Sequence, residues 1–165
     1  MDRSDPTLIA NLTQSEKTIE ALHNTINGHP FLVIHLAAHA KVFELVEHPE
    51  RALENIEMTF TALEFCRRSG IPIIFGSSRE VYGDVHRHIT DEACADFVVA
   101  ESPYSASKIA GEAFIYSYAK CYDLPYLVFR VSNVYGRYDN DLERMERVIP
   151  LFIDRDRYNS VRRHY

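Results

Sequence analysis

The chain has 165 residues, 46% apolar and 25% charged, with a formal net charge of -6. These values describe an ordinary soluble globular chain, one domain or one piece of a larger protein, and the acidic balance argues against a nucleic-acid surface. No apolar run approaches the roughly 18 residues that would span a membrane.

The N-terminus MDRSDPTL does not read as a signal peptide, so no membrane partner and a cytoplasmic location are expected. Cys66, Cys94 and Cys121 are widely spaced and form no CxxC. That pattern predicts reduced structural thiols and no metal site.

In chain order, TLIANLTQ (7–14) reads as a possible short strand, followed by a helix over roughly 14–27 that ends near Asn27-Gly28. FLVIHLA (31–37) is the first clear strand. ERALENIEMTFTALEFCRR (50–68) is a helix with Leu53, Ile56, Phe60 and Leu63 on one side and Gly70 as its C-cap candidate. IPIIFGSS (71–78) is the second strand. SPYSASKIAGEAFIYSYAKCYD (102–123) is a helix with Ser102 as N-cap and Pro103 at its first position. Its small residues Ala106, Ala110, Ala113 and Ser117 form a stripe that would admit a close neighbour. PYLVFRVS (125–132) is the third strand, and a helical stretch follows at 141–153. The polar tail carries no fold signal.

Each strand is a continuous apolar run, the pattern of strands buried on both faces. The alternation of helices and strands predicts an α/β fold, a doubly wound parallel sheet with helices on both faces and right-handed crossovers. Such sheets bind ligands beyond the carboxyl ends of their strands. HLAAHAKV, SSREVYG and SNVYG all fall there.

Within this frame Ser78, Tyr104 and Lys108 have the types and order of a site that interconverts a hydroxyl and a ketone. Tyr104 and Lys108 are four residues apart and share a helix face. An ammonium beside a phenol favours the phenolate and is expected to lower a pKa that is otherwise about 10. Such a tyrosine can take a proton from a substrate hydroxyl, with Ser78 hydrogen-bonding the same oxygen. The YxxxK spacing alone is weak in a chain with ten tyrosines, and Tyr116 with Lys120 repeats it. Tyr104 differs in lying at a helix start, 26 residues after a hydroxyl motif at a strand end.

The segments VIHLAAHAKV (33–42), NIEMTFTALEFCR (55–67), IIFGSSREVYGD (73–84), SPYSASKIAGE (102–112) and LVFRVSNVYGR (127–137) together carry a close resemblance. The chain resembles the extended short-chain dehydrogenases/reductases, within the NAD-dependent epimerase/dehydratase group that acts on nucleotide sugars. The resemblance covers about residues 8–153.

It implies that Ser78, Tyr104 and Lys108 are catalytic and that NAD is the cofactor, with NADP left open. It places Leu36, Ala37 and Ala38 in the loop under the cofactor, where Tyr104 and Lys108 would also touch it. Asn55 would buttress the cofactor site, and Asn11, in place of an Asp, would lie toward the adenine. Ser78, Glu80 and Asn133 would meet the nucleotide-sugar substrate. Lys41 is expected to be solvated. Similar 4,6-dehydratases carry Thr-Asp-Glu where this chain has Ser78, Arg79 and Glu80. An arginine is not a useful acid there, so dehydration is disfavoured and 4-epimerisation preferred. Glu80 leaves a UDP-glucuronate decarboxylase-like activity open.

The six glycines are Gly28, Gly70, Gly76, Gly83, Gly111 and Gly136, and no two stand close enough for a phosphate-cradling GxxGxxG turn. The chain is therefore expected to be a core portion. Residues 1–147 would be a partial NAD(P)-binding Rossmann-like domain without its first βαβ unit, and 148–165 the start of a substrate domain. Two readings compete. One is an enzyme core, weak or inactive alone. The other is an inactive remnant or split half that acts by association, as a homodimer through helices 50–68 and 102–123 or with a separate N-terminal fragment. A small stand-alone binding module is a weaker third reading.

Overall fold

The computed structural model describes residues 10–25, 32–83 and 100–134. Its elements are α1 (Ser15–Thr25), β1 (Val33–His35), α2 (Val42–Glu47), α3 (Glu50–Ser69), β2 (Ile73–Ser78), a 3₁₀ turn (Arg79–Tyr82), α4 (Pro103–Tyr122) and β3 (Tyr126–Val131). The strands form one parallel sheet in the order β1-β2-β3. Val33 lies opposite Ile73, and Ile73 through Ser78 lie opposite Tyr126 through Val131. The expected alternation of helix and parallel strand is present, with the short α2 added. The chain divides into two compact units, 1–131 and 132–165. The expected helix at 141–153 and the boundary at residue 147 lie outside the described residues. Ala10–Gln14 is a turn and contains no strand; residues 7–9 of the expected one lie outside the described residues.

Local signals account for the helix ends. Gly70 adopts φ 67°, a left-handed conformation, and its N–H returns to the Cys66 carbonyl to close α3. Arg67 and Arg68 in the last turn of α3 complement its dipole. At α4, the Ser105 N–H donates to Ser102 Oγ at 3.1 Å and the Ser102 N–H donates to Ser105 Oγ at 3.0 Å. This reciprocal cap, with Pro103 behind it, fixes where α4 begins.

The core joins Leu63, Cys66, Ile73, Phe75, Ile115 and Ile19 between α1, α3, α4 and one sheet face. Burial pushes the Cys66 thiol up to about 12, as befits a structural thiol. Two expectations fail here. On α3 the side carrying Leu53, Ile56, Phe60 and Leu63 is not the buried one: Leu63 is buried, but Leu53 is 64% exposed and Phe60 39%. The buried side includes Ala52, Asn55, Thr59 and Ala62, because Asn55 and Thr59 find hydrogen-bond partners inside the fold.

The strands are also not all buried on both faces. Ile34 is 60% exposed and Phe129 54%, while His35, Ile73 and Phe75 on the opposite face are covered by α3 and α4. In the stripe of Ala106, Ala110, Ala113 and Ser117, Ala110 is half-buried and the other three are exposed to solvent among the described residues. The close approach on α4 is made instead at Gly111, where an added Cβ would stand 2.7 Å from Phe75 Cζ.

Candidate active site

The site is built where β2 ends and α4 begins. Ser78 is the last residue of β2, and its Oγ accepts a 3.2 Å hydrogen bond from the Glu80 N–H, so it caps the 3₁₀ turn that follows. Tyr104, in the first turn of α4, is buried against Leu45 and Ala52. Its phenol lies beside Ser78, whose hydroxyl favours the phenolate. Lys108, one turn further along α4, is buried, and its Nζ donates a 2.7 Å hydrogen bond to the Gly76 carbonyl. The same ammonium lies 4.9 Å from the Phe75 ring centroid and 5.8 Å from that of Tyr104.

The electrostatics differ from expectation. Burial holds the Tyr104 phenol above its ordinary pKa of 10.0; the Ser78 hydroxyl opposes this and the Glu80 charge adds to it. Lys108 does not lower it, because its ammonium is turned to the Gly76 carbonyl. Burial brings Lys108 itself down to about 8. In this arrangement Tyr104 rests as a neutral phenol, and the lysine charge beside it is weakly held.

The loop after β1 is fastened to this group. Asn55 on α3 accepts from the His39 N–H at 2.7 Å and donates to the His39 carbonyl at 3.1 Å. It also donates to Ser107 Oγ on α4 at 3.2 Å. One buried amide thus clamps the loop against the residue preceding Lys108. His39 Nε2 adds a 2.7 Å contact with Glu54. Leu36 and Ala37 are exposed and Ala38 is half-buried. The two alanines end at Cβ, so a flat ring can come close to the loop backbone. These residues fit the reacting end of a nicotinamide dinucleotide.

The other expected residues are less engaged. Asn11 is exposed, and its side-chain oxygen accepts from the N–H and hydroxyl of Thr13; it shapes its own turn. Glu80 is half-buried beside Ser78, with Arg79 Nε 3.9 Å away. Asn133 is exposed two residues beyond β3. Lys41 is 47% exposed and pairs with Glu44 at 3.0 Å. Tyr116, of the decoy pair, stacks edge-on against Tyr126 with centroids 5.5 Å apart.

Two features were missed. His35 is buried, with Nε2 3.1 Å from Thr59 Oγ1 and its ring stacked on Phe75. Burial and the Lys108 charge lower its pKa to about 4, so it is neutral at pH 7. Its sequence signal was a histidine inside an apolar run. The second is Glu112, buried against Ser77 and Arg130. Its signal was the spacing of four residues from Lys108.

A family model described as "NAD dependent epimerase/dehydratase family" matches residues 3–159. The chain is 31% identical over 143 residues to the dTDP-glucose 4,6-dehydratase of Mycobacterium tuberculosis, covering 84% of this chain and 41% of that protein. It resembles the solved UDP-glucose 4-epimerase of Thermotoga maritima, determined with UDP-glucose, at TM-score 0.80 and 27% identity over 94% of this chain and 50% of that one. The UDP-glucose 4-epimerase of Thermus thermophilus, solved with NAD, matches at TM-score 0.73 and 30% identity over 84% and 44%. The chain thus spans about half, or less, of the length of these relatives.

Proposed function

This chain belongs to the NAD-dependent epimerase/dehydratase family, and from that premise we propose that it carries the acid–base centre of a nucleotide-sugar 4-epimerase. The observation that carries the reading is the placement of Tyr104, in the first turn of α4, beside Ser78 at the end of β2, with Lys108 buried one turn behind. Arg79 favours epimerisation over dehydration, since the adjacent position that would supply an acid holds a guanidinium. The solved structures that resemble this chain include epimerases with UDP-glucose and with NAD. They support a UDP-sugar substrate and a dinucleotide cofactor here.

In this reading Ser78 Oγ and Tyr104 Oη share the sugar hydroxyl. Tyr104 removes the hydroxyl proton as the carbon is oxidised and returns it when the ketone is reduced. Burial keeps the phenol protonated until the proton is needed, and Lys108 anchors α4 to the strand end that carries Ser78 through the Gly76 carbonyl. The Asn55 clamp holds Leu36, Ala37 and Ala38 as the floor for a nicotinamide dinucleotide, NAD in our reading. When bound, that group supplies the two-electron acceptor and donor. Glu80 borders the substrate space beside Ser78, and Asn133 is assigned to the nucleotide sugar. Asn11 is assigned to the adenine side, and residues 148–165 to the start of a substrate domain.

Product identity tests this. Chain is mixed with NAD and either UDP-glucose or UDP-glucuronate, alone and with a polypeptide that supplies a glycine-rich dinucleotide loop, and the sugar is followed by proton NMR. The epimerase reading expects UDP-galactose. A keto-deoxy sugar would make the chain a dehydratase, and pentose formation from UDP-glucuronate would make it a decarboxylase.

A second reading has a specific observation behind it. Leu53 and Phe60 on α3 and Phe114 on α4 are exposed apolar side chains on the two helices assigned to pairing with a second copy of the chain. Light scattering that finds a dimer, lost in Leu53→Glu, supports association; a monomer at all concentrations rejects it.

A further inference from the structure

We propose that Glu112 is a positioning residue for this site: its one buried carboxylate sets the register of α4 on β2 and, through Arg130, steadies the 3₁₀ turn that carries Glu80. The proposal rests on the reading of Tyr104 and Ser78 as the reacting pair.

The geometry is a ladder. Tyr104, Lys108 and Glu112 occupy one face of α4 at successive turns. All three face the last residues of β2: Lys108 donates to the Gly76 carbonyl, Glu112 accepts from Ser77, and Tyr104 lies beside Ser78. Ser77 Oγ donates to Glu112 Oε1 at 2.5 Å. Arg130 lies directly opposite Ser77 across the β2–β3 pairing. Its Nη2 donates to Glu112 Oε2 at 2.8 Å, and its Nε to Oε1 at 3.1 Å. Side-chain exposure is 7% for Glu112 and 17% for Arg130, so water does not compete well for either group.

Of the three rungs, the third constrains most. Lys108 meets a carbonyl through a rotatable ammonium, which tolerates small shifts of the helix. Glu112 meets a planar guanidinium fork and a hydroxyl, whose directions fix the carboxylate in place. The Gly111–Phe75 contact beside it is apolar and sets distance rather than register. Arg130 then extends the arrangement. Its guanidinium carbon lies 4.8 Å from the centroid of the Tyr82 ring, and Tyr82 ends the turn that holds Glu80. A single carboxylate therefore ties together the helix that carries Tyr104 and Lys108, the strand that carries Ser78 and the turn that carries Glu80.

The test reads Tyr104 directly. Chain labelled at tyrosine Cζ with carbon-13 is titrated by NMR, with the Tyr104 signal assigned from Tyr104→Phe. In Glu112→Gln the phenol becomes better hydrated, and its titration midpoint falls by about half a pH unit or more. The double variant Glu112→Gln/Arg130→Gln leaves no unpaired buried charge and shows the same fall. Glu64→Gln, which breaks a separate carboxylate cluster with Arg67, Arg68 and Tyr118, loses stability without moving Tyr104. If both Glu112 variants fold and Tyr104 titrates as in the wild type, Glu112 is merely structural and the proposal is overturned. Failure of both to fold also overturns it, since Glu112 would then determine the fold and not the position of the site. Turnover retained in Tyr104→Phe would instead remove the reading of the site and leave the titration result standing.

Discussion

Lys108 Nζ donates a 2.7 Å hydrogen bond to the carbonyl of Gly76, two residues before Ser78 on the neighbouring strand. The ammonium is held inside the protein by a backbone dipole with no carboxylate counter-ion in that bond. Burial lowers its pKa from 10.5 to about 8. The unfolded chain therefore keeps this proton at pH values where the folded chain has released it. Stability from this group rises as pH goes from 8 toward 10.5, and below 8 its cost is fully present. Lys108→Met removes that slope. Urea unfolding at pH 7 and 9 should show wild type gaining relative to the variant by about 1 kcal/mol. Taking the difference cancels Cys66, which lowers stability above its ordinary 9.0.

His35 makes the opposite end of the pH range sensitive. Its folded pKa of about 4 lies below the ordinary 6.5. As pH falls through 6.5 the unfolded chain takes up a proton that the folded chain refuses until about 4. Stability drops across that window and levels off below it. Between pH 7 and 5 the loss is about 2 kcal/mol. His35→Gln should flatten this part of the urea-unfolding profile. An unchanged slope would mean that His35 is protonated where it sits.

Gly111→Ala should destabilise the chain, although alanine favours a helix by about 1 kcal/mol over glycine. The new Cβ would stand 2.7 Å from Phe75 Cζ. That ring cannot retreat easily, since it is 1% exposed and lies between His35 and Lys108. The overpacking cost of about 1–3 kcal/mol wins. Thermal unfolding reads the sign: a lower Tm is expected.

Ser78→Ala should raise the Tyr104 pKa further, because the hydroxyl it removes is the contact that lowers it. Carbon-13 titration of the tyrosines checks the direction. A fall would mean that the Ser78 hydroxyl does not favour the phenolate in solution.

Much of the frame was legible in the sequence because its signals are local. Ser102 and Pro103 start α4, and Gly70 stops α3 through its own backbone. The motif at Ser78 and the pair at Tyr104 and Lys108 sit at adjoining element ends, so the parallel topology alone brings them near each other. What escaped depends on partners distant in sequence. Thr59 is a polar residue on the buried side of α3 that only the fold pairs with His35, and Asn55, whose role the resemblance implied, owes its burial to His39 and Ser107. Periodicity counted Leu53 and Phe60 in their place. Glu112 finds its partners Ser77 and Arg130 only in the fold. The phenol shift was misjudged for a like reason: spacing shows that Lys108 is near Tyr104, but not that its ammonium turns to Gly76.

The central claim is that Tyr104 moves the proton of a sugar hydroxyl. Its most direct test is the rate of interconversion of UDP-glucose and UDP-galactose, followed by proton NMR with NAD and a glycine-loop polypeptide present, in wild type and Tyr104→Phe. The account predicts that the phenylalanine variant, which keeps the ring and loses the hydroxyl, is slower by about 10²–10⁴-fold while remaining folded. Equal rates in the two proteins would contradict it.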